Sequence, residues 1–215
     1  KRHFLPFSQN FLSFLINDIF CQKLILTYGH GQNKATGFKK MKIETDNMQA
    51  KIHELVIQIK DALAKRGEMM ATAESCTGGL IASSIVSEAG SSAIFAGGIV
   101  AYQNEVKVKL LGVDPQIIET YGAVSEQTVK AMAQGAIKQF DCQWAVATSG
   151  VAGPTGGTQD KPVGLVWMAV ANNNGQSEAF SEIFQGNRTQ IRENSVYKVL
   201  SNLFFTQITK KALAQ

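Results

Sequence analysis

Ala73-Glu74-Ser75-Cys76-Thr77-Gly78-Gly79 places a hydroxyl, a thiol and two glycines at one corner between a strand and a helix. Upstream, Met69 to Ala73 reads as a short buried strand. Downstream, Leu80, Ile81, Ile85 and Val86 recur at helical spacing, so a helix is expected over 77–89. In one reading the corner is an ordinary helix start, with Ser75 or Thr77 as N-cap. In the other, the N–H groups that open the helix point outward with the positive end of its dipole. Glycines at 78 and 79 let a ligand approach that backbone, which could then bind an anion or a developing oxyanion. The stretch by itself leaves both readings open.

Working outward, Ile52, Leu55, Val56, Ile59 and Leu63 form one helical stripe between Met48 and Arg66, and Gly67 ends it. Ala96 to Tyr102 reads as a strand, with Gly97 and Gly98 marking a bulge or a close approach. Short helices follow, one capped at Asn104 and closed by Gly112, one opened by Asp114-Pro115. Ser125 caps a longer helix to Phe140 with Val129, Met132, Ala136, Ile137 and Phe140 inward. Trp144–Thr148 is a strand, and strands over 163–171 and 179–184 flank the Asn172-Asn173-Asn174-Gly175 turn. Asn187 caps a final helix. Strand and helix alternate and then a hairpin closes. The fold class is therefore α/β, a three-layer α/β/α sandwich on a mixed, mostly parallel sheet with an antiparallel member.

The 215 residues carry a net charge of +4, unevenly spread. Residues 1–40 hold six basic residues against Asp18 alone, whereas the rest holds 15 basic and 16 acidic residues. A nearly neutral body gives no electrostatic footprint for nucleic acid. Residues 1–40 also hold six of the twelve phenylalanines, and polar residues interrupt their apolar run, so neither a clean signal peptide nor a membrane span is expected there. They read as a poorly ordered or non-native extension, with 41–215 as the functional domain. Cys21, Cys76 and Cys142 are odd in number and widely separated, which implies neither a disulfide framework nor a metal site and fits a reducing cytoplasm.

Ligands of open α/β sheets sit beyond the carboxyl ends of strands, which singles out the loops at 74–79, 102–107 and 149–162. The third collects Ser149, Gly150, Gly153, Pro154, Thr155, Gly156 and Gly157, a density of small residues suited to exposing N–H groups to a phosphate. It matches neither a Walker A loop nor a dinucleotide fingerprint. The three histidines are His3, His30 and His53, none near these loops in sequence, so a Ser-His-Asp triad is not expected. A nucleophilic Ser75 would need another base, and Tyr102 and Lys107 are candidates that one corner could aim into a single cleft. Each has a plainer reading, as a half-buried strand residue and an exposed lysine. Cys76 is the rival nucleophile, or a small buried hydrophobe.

Six motifs stand in order: Ala73–Gly79, Gly90-Ser91-Ser92, Gly98–Lys107, Gly122–Glu126, Ser149–Gly157 and Lys161–Trp167. From about Met48 to the last helix they resemble the CinA C-terminal domain family, the nicotinamide-nucleotide amidohydrolases, in its stand-alone form. The resemblance implies the three-layer fold and hydrolysis of the carboxamide of nicotinamide mononucleotide to nicotinate mononucleotide and ammonia, without metal or cofactor. It implies a catalytic set that falls on Ser75, Tyr102 and Lys107. Substrate contacts are then expected at Cys76, Thr77, Gly78 and Gly79, along Ser149, Gly150, Gly153, Thr155 and Gly156, and at Arg188. A small enzyme of this kind is expected to be a homodimer or larger homo-oligomer. A regulatory, nucleotide-binding module tied to competence or DNA damage is the alternative.

Overall fold

The computed structural model describes residues 34–209, with side chains from Asn47 onward. The chain divides into two units, Lys1–Met41 and Lys42–Gln215. The expectation for residues 1–40 falls mostly on 1–33, outside the described residues. Helix α1 runs Lys34–Ala64, and Gly67 closes it in the left-handed conformation. Strand β1 (Met70–Glu74) and helix α2 (Leu80–Val86) follow, then β2 (Phe95–Val100), α3 (Asn104–Leu111), α4 (Pro115–Tyr121) and α5 (Glu126–Phe140). Strands β3 (Trp144–Gly150), β4 (Leu165–Asn172) and β5 (Ser177–Ile183) precede α6 (Arg188–Ser201), which runs into a π-helical stretch, Asn202–Ile208.

The five strands form one mixed sheet in the order β2-β1-β3-β4-β5. β1 pairs in parallel with β2 and β3, while β3 with β4 and β4 with β5 are antiparallel. The three parallel strands place the ends of β1, β2 and β3 on one edge of the sheet. All five residues of β1 and the first six of β3 are buried, as expected for strands covered on both faces.

Strand alternation sorts the core into two clusters. One face carries Met70, Trp144, Val146, Val166, Met168 and Val170 against α1, α2 and α6. The other carries Ala71, Ala73, Ala145, Ala147, Ala169 and Ala171 against α3 and α5. Six alanines in a row of positions let α5 lie close to the sheet. Helix α3 in turn lies close to α5, since a Cβ on Gly135 would sit 1.9 Å from the Leu111 carbonyl oxygen. Gly135→Ala must therefore push α3 away, and we expect it to lower stability by about 3 kcal/mol. Urea denaturation reads this loss directly.

Two helix starts differ from the sequence expectation. α2 begins at Leu80 rather than near 77, with Gly79 as N-cap, so neither Ser75 nor Thr77 caps it. α3 is capped at Gln103, with Asn104 already inside the helix. The expected caps at Ser125 and Asn187 form, the latter as a capping box with Gln190, and Asp114 caps the helix that Asp114-Pro115 was expected to open.

Candidate active site

The ends of β1, β2 and β3 bring the three singled-out loops together. Ser75 leaves β1 still tied to the sheet, its N–H donating to the Thr148 carbonyl at 3.0 Å. The chain then folds sharply back: the Gly78 N–H donates to the Ser75 carbonyl at 3.1 Å, and Gly78 and Gly79 both adopt positive φ. A side chain at Gly79 would meet Val100 and would be strained there, which accounts for glycine at this position.

Helix α3 carries Lys107 back beneath this bend. Its side chain is only 1% exposed, the largest fully buried one in the described chain. The Nζ donates to the carbonyls of Ala101 at 2.9 Å and Tyr102 at 3.2 Å, and lies 3.3 Å from Ser75 Oγ. Burial pulls the amine below its ordinary pKa, against the opposing pull of Cys76 and Glu105. A neutral amine has two N–H bonds and one lone pair. In that form two carbonyls would take the former and Ser75 Oγ, 8% exposed, would face the latter.

Tyr102 is placed differently from the other two. It lies past the end of β2, 61% exposed, and meets Lys107 through its carbonyl rather than its phenol. The phenol oxygen is 3.5 Å from Arg188 Nη2, while Arg188 Nη1 donates to the Gly153 carbonyl at 2.8 Å. Arg188 thus joins the 102–107 corner to the 149–162 loop. One turn along α6, Arg192 donates from Nε and Nη2 to the Thr77 carbonyl.

The remaining candidates fall into two groups. Thr155 and Gly156 lie on the exposed part of the loop, and Gly153 is held at its base against Val163. Thr77 and Ser149 turn their hydroxyls inward. The Thr77 hydroxyl shares a 2.7 Å hydrogen bond with Thr148, and Ser149 Oγ donates to the Ala123 carbonyl at 2.7 Å. β1 and β3 run in parallel, and the Thr77 hydroxyl is sealed between their ends. Gly150 belongs to β3 and packs against Val166. Burial pushes the Cys76 thiol up to about 12, so it stays protonated at neutral pH and is a poor nucleophile. His53 lies on α1 beside Glu88. His3 and His30 lie outside the described residues.

Glu74 escaped the sequence reading. Its carboxylate, 1% exposed, accepts from the N–H of Ile81 at 3.1 Å and of Ala82 at 2.8 Å. Of the two readings left open for the α2 N-terminus, the structure gives a capped start, but with the cap supplied from inside by the end of β1. The available signal was the absence of Ser, Thr, Asp or Asn at position 79. Among the described residues no group of three or more His, Cys, Asp or Glu could hold a metal ion. None of the described helices is long and apolar enough to cross a membrane.

The chain is similar to known proteins in sequence and in fold. The model of the CinA C-terminal domain family matches residues 52–206. A CinA-like protein of Mycolicibacterium vanbaalenii is 51% identical over 138 residues, 64% of this chain and 32% of that protein. A CinA-like protein of Synechocystis is 51% identical over 115 residues, 54% of this chain and 28% of that one. The chain thus spans about a third of the length of these curated relatives. Among solved structures, a competence/damage inducible protein of Agrobacterium tumefaciens superposes with a TM-score of 0.70 at 41% identity, covering 77% of this chain and 96% of that one. A competence damage-inducible protein of Klebsiella pneumoniae gives 0.70 at 34% identity, covering 76% and 99%.

Proposed function

We propose a function from one premise: this chain belongs to the CinA C-terminal domain family. The reading is a serine amidase that hydrolyses the carboxamide of nicotinamide mononucleotide, releasing nicotinate mononucleotide and ammonia for pyridine nucleotide recycling. One observation carries it above the others: a fully buried lysine amine 3.3 Å from a serine hydroxyl on a tight bend.

In this mechanism neutral Lys107 takes the proton of Ser75 while Oγ attacks the carboxamide carbon. The carbonyl electrons move to oxygen, and bend N–H groups receive the oxyanion. Gly78 and Leu80 N–H are engaged within the bend, whereas the Gly79 N–H has no acceptor among the described residues and is the best placed. As the C–N bond breaks, the Lys107 ammonium gives that proton to the leaving –NH₂ nitrogen, which departs as ammonia. Water then attacks the ester through the same amine, freeing the acid and Ser75. Tyr102, beside Arg188 at the rim, flanks the leaving group and the ring.

The substrate phosphate cannot use the α2 N-terminus, which Glu74 occupies. Arg188 and the exposed Thr155-Gly156 backbone are the alternative, with Cys76, Gly78 and Gly79 lining the amide end. Arg188→Ala is expected to raise KM for the mononucleotide about tenfold, in keeping with the loss of a charged hydrogen bond, and to leave KM for the riboside nearly unchanged. Steady-state kinetics on both substrates reads the difference.

The protein acts in this reading as a cytoplasmic homo-oligomer without cofactor. The solved relatives are named for competence or damage induction, which favours a second reading, a nucleotide-binding regulatory module. An ammonia-release assay across nicotinamide mononucleotide, its riboside and NAD separates them. The amidase releases ammonia from the mononucleotide first; saturable binding without ammonia would support the module.

A further inference from the structure

Glu74 sits where the strand ends and the nucleophile begins. Its two carboxylate oxygens hold the first turn of α2 through Ile81 and Ala82, on the far side of the Ser75–Gly79 bend. Its own carbonyl accepts from the Ala101 N–H at 2.7 Å, and the Ala101 carbonyl accepts from Lys107 Nζ. One residue therefore fastens both ends of the bend and also the backbone that carries the lysine's acceptor. Within the bend the Gly78 N–H donates to the Ser75 carbonyl and the Leu80 N–H to the Thr77 carbonyl, and Thr77 is tied outward to Arg192 and Thr148, which leaves the first turn of α2 to be held by Glu74.

We propose that Glu74 is a positioning residue of the amidase, whose buried carboxylate holds Ser75 Oγ in line with the Lys107 amine by clamping the α2 N-terminus to the end of β1. This rests on the amidase reading above. The carboxylate touches neither substrate nor reacting atoms. Two acceptors are required because two adjacent N–H groups point at it. A neutral amide keeps one acceptor and sets an N–H₂ against the other donor. Anchoring of this kind matters because a displacement of about 1 Å at a reacting atom can cost about 10²-fold in rate.

The test compares wild type, Glu74→Gln and Glu74→Ala by steady-state kinetics on nicotinamide mononucleotide and by amide hydrogen exchange. Glu74→Ala is expected to lower kcat about 10²-fold and Glu74→Gln about tenfold, with KM moving less than about threefold in either. The Ile81 and Ala82 amides should exchange at least about tenfold faster in both variants, with the Val146 amide of β3 as protected as before. Unchanged kcat, a change confined to KM, or core amides loosening in step with Ile81 and Ala82 would each overturn the proposal. A wild-type protein that releases no ammonia would sink the amidase reading instead. The exchange arm would then still decide whether Glu74 clamps the bend.

Discussion

Ser75→Ala is expected to lower kcat/KM for nicotinamide mononucleotide by about 10⁴-fold or more, the scale on which removing a covalent nucleophile acts. The substitution removes one oxygen whose side-chain partner is Lys107. The backbone bond from Ser75 to Thr148 and the turn bond from Gly78 to Ser75 both survive it. The fold should accordingly persist, with the thermal midpoint within a few degrees of wild type. Loss of rate together with loss of fold would be uninformative about chemistry, so circular dichroism belongs beside the kinetics. A folded Ser75→Ala protein that retains turnover would remove serine from the mechanism.

The second large effect is expected at Lys107, where catalysis and stability should move in opposite directions. Lys107→Met keeps the length and apolar volume of the side chain and removes the amine. Turnover should fall about 10³-fold, within the range that a positioned acid–base group supplies. Stability should hold or rise, because replacing a buried ionisable group with an apolar one of similar shape is often neutral or favourable. The pH dependence supplies a sharper signature. Burial lowers the folded-state pKa of Lys107 below its ordinary 10.5. Between the lowered value and 10.5 the unfolded chain binds a proton that the folded chain does not. This contribution to stability is full above 10.5 and shrinks as pH falls toward the lowered value. Lys107→Met should abolish that slope, which urea midpoints across alkaline pH would report. In the wild type, kcat/KM should climb with pH as the amine loses its proton, on a limb lying below the ordinary lysine range. A limb at the ordinary range would mean that the amine is solvated, contrary to its burial.

Much of the layered fold was legible in periodicity. The stripe from Ile52 to Leu63 and the inward row from Val129 to Ile137 are both buried as spaced. Caps at Asp114, Ser125 and Asn187 follow from local chemistry alone, since each side chain bonds an N–H two or three residues on. The start of α2 was not legible, because its cap is a carboxylate from the preceding strand rather than a residue at the helix threshold. The direction of β4 was also hidden. Its segment reads as a strand either way, and the return is antiparallel because the 151–164 connection contains no helix to carry the chain back to the other end. At the site, the five-residue spacing of Tyr102 and Lys107 suggested a shared corner. It could not show that a lysine on a short helix would turn inward beneath Ser75 while the tyrosine turned outward to Arg188. That outcome depends on Ala101 and Tyr102 offering their carbonyls to the buried amine, a tertiary arrangement with no sequence period.

The proposed mechanism depends most on Ser75 forming the covalent bond, and trapping that bond tests it most directly. Wild-type protein would be mixed with nicotinamide mononucleotide, quenched in acid during turnover, digested and mapped by mass spectrometry. We expect the peptide that spans the bend to gain the mass of a nicotinate mononucleotide ester, with fragment ions placing it on Ser75. An adduct on Cys76, or ammonia released through many turnovers with Ser75 never modified, would contradict the account.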